Sequence, residues 1–153
     1  MTLDNLIKKE KDEHQVKRSI DYAIQRTLTN VPTKINRMDA FAMIYSDLKE
    51  NPRTQRTLLE VKELVISGLK YHVQGLAMVV TGLLIPFVGG YLYKSEALSE
   101  QTAYVLIAGG MAVAFTGLYN MWQGEKRDSE ACDQILSVMH LLKPETKDRL
   151  FYT

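Results

Sequence analysis

Cysteine is nearly missing from this chain of 153 residues: there is one, at position 132. A single thiol closes no internal disulfide and builds no thiolate metal cage, which excludes disulfide scaffolds and zinc fingers. Neither sign of charge dominates, with 19 Lys+Arg against 18 Asp+Glu. A net charge of +1 excludes a polyelectrolyte, so no nucleic-acid partner is expected. Glycine does not occur before residue 68 or after residue 124, which removes a Gly-rich phosphate loop from either end. The opening residues MTLDNLIKKEKDEH contain no apolar run, so no cleaved signal peptide is expected there.

The most informative absence is local. Tyr71–Tyr93 passes 23 residues without Lys, Arg, Asp or Glu, and Gln101–Gly124 passes 24. A helix rises about 1.5 Å per residue, and a bilayer core of about 30 Å takes about 20 apolar residues. Both gaps suffice. The mean hydropathy of −0.15 averages these stretches with strongly polar flanks. The alternative is a buried hydrophobic hairpin in a soluble helical protein, but few other residues remain to wrap two helices apolar all round.

The expected fold is therefore an all-α integral membrane protein. It has an antiparallel two-helix transmembrane hairpin, a cytosolic helical N-terminal region and a C-terminal amphipathic helix. Residues 1–70 form the first region, 71–124 the hairpin (spans about 74–93 and 102–122, outer loop 94–101), and 125–153 the last. Tyr71, Tyr91, Tyr93, Tyr104, Tyr119 and Trp122 lie near the span ends, where amphipathic rings favour headgroups. Arg53, Arg56, Lys62, Lys70, Lys126 and Arg127 flank the spans, whereas the loop KSEALSEQ has one Lys against two Glu. The positive-inside rule then puts both termini in the cytoplasm.

Glycine follows a pattern inside the spans. Gly68, Gly75, Gly82 and Gly89 repeat every seven residues, as do Ala103, Gly110, Gly117 and Gly124. A seven-residue period keeps small residues on one face, where backbones can approach closely. In an antiparallel hairpin facing residues share an index sum. Pairing 68 with 124, 75 with 117, 82 with 110 and 89 with 103 gives 192 each time and centres the turn on Glu96. The two ladders are thus expected to meet within one subunit. A ladder facing a neighbouring subunit is the competing reading, and the general abundance of glycine in membrane helices is the plainest one. Pro86 interrupts the first span, as a static kink or as a hinge.

Outside the spans the pattern is amphipathic helix. One runs from about Leu3 to Thr29, stopped by Pro32, with Val16, Ile20, Ala23, Ile24, Thr27 and Leu28 on a common face. Its stretch Lys8–Gln15 is polar all round and is expected to project or fray. A second covers about Thr33–Glu50, with Ile35, Met38, Phe41, Ala42, Tyr45 and Leu48 inward. Asn51-Pro52 reads as cap and first turn of a third, running into the membrane with Leu58, Val61, Leu64, Val65 and Leu69 on its stripe. Glu125–Leu142 carries Ala131, Ile135, Leu136, Val138 and Met139, and Lys143-Pro144 opens a last short turn through Leu150. Seventy residues bury only a small core, so docking against the C-terminal helix or a neighbouring subunit is expected.

Chemistry is sparse. His14, His72 and His140 have no second ligand at helical spacing, and His72 reads as an interfacial residue before it reads as a haem or metal ligand. No catalytic, metal or cofactor residue is assigned, and no enzyme is expected. Uncharged polar residues are the remaining candidates for lining a path: Thr81, Thr116, Asn120 and Gln123, with the last three at i, i+4, i+7. The alternative is that threonine bonds back to its own helix and the amides sit at the interface.

IPFVGG in the first span and GLYNMWQGEKRDSEACDQIL across the end of the second resemble the two-span SLATT effector family of bacterial defence systems, over roughly residues 60–142. The resemblance implies an oligomeric effector of the bacterial inner membrane, forming a pore or membrane-perturbing assembly and switched by a partner or nucleotide signal. No ligand-binding module is fused here, so a separate cytosolic regulatory protein is implied. Membrane lipid and further copies of the chain are the other expected partners. The alternatives are a non-conducting interaction protein (superinfection or entry exclusion, or a membrane anchor for a cytosolic partner) and a holin-like lysis protein.

Overall fold

In the computed structural model, residues 3–29, 31 and 33–151 are described, with side chains from residue 13 onward. Pro32 lies outside the described residues, as do the side chains of residues 8–12 in the stretch expected to project or fray. The described elements are helical: α1 (Leu3–Leu28), α2 (Arg37–Glu50), α3 (Gln55–Lys94), α4 (Glu100–Val138), a 3-10 turn (Met139–Leu141) and α5 (Pro144–Leu150). An isolated bridge joins Thr33 to Phe151. Two of these helices, α3 and α4, are long and apolar enough to cross a membrane.

The chain divides into two units. The first comprises Met1–Ile66 with Arg127–Thr153, and the second Ser67–Lys126. The N-terminal and C-terminal regions read from the sequence fall largely in the first unit, and the hairpin in the second.

The first unit has an orthodox core. Ile20, Ala23, Ile24 and Leu28 of α1 pack with Ala40, Ile44 and Leu48 of α2, Leu58 and Val61 of α3, and Ala131, Ile135 and Val138 of α4. Several are wholly inaccessible, among them Ile20, Ile24, Ile44, Val61 and Ile135. Fully burying such a side chain is worth about 1.5–3 kcal/mol, so α4 adds core that α1, α2 and the start of α3 do not supply by themselves. Leu142 and Leu150 extend this core from the last turns.

Two helix starts differ from expectation. α2 begins at Arg37, because Asn36 accepts the Met38 N–H on its side chain and caps the helix there; Thr33 and Ile35 precede it. Its buried stripe is Ala40, Ile44 and Leu48, whereas Met38 is 73% exposed. α2 is apolar at so many positions that several stripes fit its sequence, and only packing chooses among them.

α3 begins at Gln55 rather than after Asn51. Asn51 closes α2, and its Oδ1 accepts the Arg53 N–H across a tight turn holding Pro52. The first helical bond of α3 is Leu58 N–H to Thr54 O. Thr54 is fully buried, and its hydroxyl donates toward the carbonyls of Leu48 and Asn51. It therefore satisfies the end of one helix at the start of the next.

The connection between α3 and α4 belongs to the second unit. Ala97 N–H bonds to Leu92 O and Glu96 N–H to Tyr93 O, with Glu96 at φ 60°. These are the paired bonds of a Schellman ending, which normally places glycine at the left-handed position. Ser99 then caps α4: its Oγ accepts the Thr102 N–H at 3.3 Å, and its carbonyl accepts the Ala103 N–H.

Candidate functional site

Within residues 67–126 the buried positions are Gly68, Gly75, Gly82, Gly89, Ala103, Gly110, Ala114, Gly117 and Gly124. All are glycine or alanine. Large side chains point outward instead, with Phe87 77%, Tyr91 74%, Val105 70% and Phe115 63% exposed.

The structure brings the two ladders together. A Cβ built on Gly75 would lie 2.6 Å from Gly117 O, and one on Gly117 would lie 2.6 Å from Gly75 O. Gly82 and Gly110 repeat this reciprocity at 2.6 and 2.7 Å, and Gly124 meets Gly68 O at 2.9 Å. At the turn end the contact loosens, because Gly89 meets the Leu106 side chain at 3.2 Å and Ala103 O at 4.0 Å. At Gly75, Gly82, Gly110, Gly117 and Gly124 the approach includes backbone, so no rotamer change alone relieves an added methyl there. Each of these five turns the position a Cβ would take toward a carbonyl of the facing helix, the setting for the weak Cα–H···O bond that recurs where helices touch. Gly90 and Gly109 lie off the ladders and face open space.

Pro86 is part of this seam. α3 runs through it as one helix. Proline has no N–H, so Gly82 O loses its helical donor. That same carbonyl is the one facing Gly110, and the Pro86 ring lies 2.5 Å from where a Gly110 Cβ would stand. Glycine at 110 thus makes room for the ring and supplies a hydrogen toward the freed carbonyl.

The polar residues separate into two kinds. Thr81 and Thr116 are exposed, and Thr116 Oγ1 donates to Ala112 O of its own helix at 2.9 Å. Asn120 Nδ2 donates across the hairpin to Met78 Sδ at 3.4 Å, and Gln123 Nε2 donates to Tyr119 Oη at 2.8 Å. The structure therefore does not gather the four into one cluster.

A second arrangement, in the first unit, has no counterpart among the residues singled out from sequence. Asp128 is 3% exposed and accepts from Tyr22 Oη at 2.9 Å and Arg26 Nη1 at 3.0 Å, while Arg26 also donates to Tyr22 Oη at 2.9 Å. Burial, then the bond to Asp128, raises the Tyr22 phenol above its ordinary value, so it stays protonated and donating. Asp128 shares the α4 face of Ala131, Ile135 and Val138, and an acid on an apolar stripe was the available signal. Ala114 was also missed. It lies one turn beyond Gly110 and packs on Gly82, but its spacing falls outside the seven-residue count.

Elsewhere in this unit Lys143 holds the end of α2, its Nζ 2.8 Å from Glu50 Oε2 and 3.5 Å from Asp47 Oδ1. An open groove of about 410 Å³ lies among α1, α2 and the start of α3, lined by Val16, Ile20, Tyr45, Lys49 and Leu58. Compared with known protein families, curated proteins and solved structures, the chain matches none.

Proposed function

We propose that the chain is an integral membrane protein whose α3–α4 hairpin spans a bilayer and anchors the helical unit of residues 1–66 and 127–153 as an interaction module. The observation that carries this reading is the burial of the apolar windows, only 17% in α3 and 22% in α4. A core helix of a soluble protein would bury most of such a window, and an apolar surface this continuous calls for lipid or a partner. The dimensions agree. Tyr71 to Tyr91 spans roughly 30 Å of helix and Tyr104 to Trp122 roughly 27 Å, matching the distance between headgroup layers flanking a core of about 30 Å. The cation-rich flanks support, through the positive-inside rule, an orientation with both termini in the cytoplasm, and the membrane in this reading is the inner membrane of a bacterium.

The non-conducting form of this reading draws on the polar residues of α4. Thr116, Asn120 and Gln123 spend side-chain donors on Ala112, Met78 and Tyr119, leaving the hairpin with no demand for a water-filled lumen from those groups. The experiment is reconstitution into dye-loaded vesicles after extraction from membranes at alkaline pH. Carbonate-resistant protein that leaves the dye enclosed supports the anchor. Protein released by carbonate rejects membrane insertion altogether.

A second reading keeps the pore. Thr81 and Thr116 expose hydroxyl-bearing faces on the hairpin, and several hairpins assembled around such faces form a membrane-perturbing oligomer, the behaviour of a defence effector. Dye release that disappears on replacing Thr81 and Thr116 with Leu favours this over the anchor.

A further inference from the structure

We propose that the end of the hairpin bearing Lys70 and Lys126 binds the phosphodiester of an anionic phospholipid, an inference that rests on the bilayer reading above. The argument begins with register. Facing residues of α3 and α4 sum to 192, so Trp122 stands level with Lys70, and Lys126 lies one turn farther from the loop. Lys70 and Lys126 are exposed, and Tyr119 and Trp122 are each 58% exposed with their rings 5.8 Å apart.

What this end offers is donors. The two ammonium groups donate only, as does the Trp122 indole N–H. Tyr119 Oη already accepts from Gln123 Nε2 at 2.8 Å, which leaves its own O–H to point outward. Among the described residues neither lysine forms an ion pair. Glu125, the carboxylate at this end, is itself engaged within the chain. The opposite end differs, since Lys94 shares the turn region with Glu96 and Glu100.

A rim of cations and donors at headgroup depth suits an anion that only accepts hydrogen bonds. The phosphodiester of phosphatidylglycerol is such a group. Phosphatidylcholine presents the same phosphate with a quaternary ammonium attached, which brings a like charge against the lysines. Lysine stems lie along the apolar helix surface and carry their charge to the phosphate layer. Attraction of juxtamembrane lysines to anionic lipid amounts to about fivefold in affinity for each.

Trp122 is the only tryptophan, so its fluorescence reports this end alone. The full chain is reconstituted in phosphatidylcholine vesicles containing a fixed fraction of brominated phosphatidylglycerol or, separately, of brominated phosphatidylcholine. Stronger quenching by the brominated anionic lipid is expected, with its relative affinity falling about fivefold in Lys70→Gln and again in Lys126→Gln. Equal quenching by both lipids, or a preference unchanged in the double variant, overturns the proposal while leaving insertion standing. No quenching by either lipid overturns insertion and the proposal together. Sodium phosphate that abolishes the preference more than sodium chloride of equal ionic strength also overturns it, because the site then takes free phosphate.

Discussion

The two units of this chain solve the same packing problem with opposite residues. In the first, isoleucine, leucine and valine are inside, and Ile20, Ile24, Ile44 and Ile135 are completely buried. In the second, glycine and alanine are inside and Leu84, Phe87, Val88 and Phe115 are outside. Water explains the first arrangement: apolar area removed from solvent is worth about 25 cal/mol per Å². In the bilayer proposed for the second unit that gain would vanish, since a leucine in hydrocarbon has no reason to prefer a protein neighbour. What remains is close backbone contact, which rewards having no side chain at all. One helix, α4, contributes to both interiors, lining the second with Gly110, Ala114 and Gly117 and the first with Ala131, Ile135 and Val138.

The largest effect should come from shrinking a side chain in the first unit. Ile24→Ala removes a wholly buried group and should cost about 2–5 kcal/mol, cavity included. Phe87→Ala removes a larger group that is 77% exposed, and in detergent it should move stability by no more than about 0.5 kcal/mol. Denaturant titration in micelles, with hydrogen exchange in α1 as a local readout, measures both. Equal losses would mean that Phe87 has a protein neighbour, and the contrast between the interiors would fail.

The second unit should respond to enlargement. Gly82→Ala sets a methyl against Gly110 O at 2.6 Å, so the helices must part, at about 1–3 kcal/mol. Gly109→Ala adds the same methyl in open space. Alanine is the better helix former by about 0.5–1 kcal/mol, so this variant should be neutral or slightly stabilised. Thermal unfolding in detergent compares the two directly: the midpoint should fall in Gly82→Ala and hold in Gly109→Ala. The same loss in both would detach the effect from the seam.

These contrasts also mark what sequence carried. The extent of α1, the two long apolar helices and the register of the glycine ladders all follow from period, length and missing charge. Such features repeat over many residues, so a single ambiguous position does not displace them. The start of α3 does not repeat. It depends on whether Asn51 ends one helix or begins another, and the buried hydroxyl of Thr54, bonded to both sides of the junction, decides that in three dimensions. The Asp128 cluster was hidden for a related reason. Tyr22 and Arg26 lie more than 100 positions away, and nothing in local spacing joins them. In the seam itself, the role of Pro86 became readable only once Gly110 stood opposite it.

A smaller effect tests the turn that closes the second unit. Glu96 occupies the left-handed region at φ 60°, where a Cβ costs roughly 1–2 kcal/mol. Its exposed side chain forms no hydrogen bond or ion pair among the described residues that would offset this. Glu96→Gly should therefore stabilise the hairpin by about 1 kcal/mol, less the extra freedom glycine brings to the unfolded chain. Thermal unfolding in detergent measures the gain. A loss would show that the carboxylate is held by something beyond this chain.

The smallest effect belongs to the first unit and is read by pH. The bond from Lys143 holds the Glu50 carboxyl below its ordinary value, and Glu50 in turn raises Lys143 above its own. For Glu50, a lowered folded value means a contribution that is present above the ordinary carboxylate range and lost as pH falls through the folded value. For Lys143, a raised value means a contribution that is intact below the ordinary lysine range and lost as pH rises through the folded value. Glu50→Gln should therefore lower the melting temperature slightly at neutral pH, and the gap to the parent should close in acid. Both partners are exposed, so salt screens the pair and should narrow the same gap at pH 7. A gap that ignored salt and acid alike would separate the loss from charge, since the glutamine carbonyl still accepts from the Ser46 hydroxyl that reaches Glu50 at 3.4 Å.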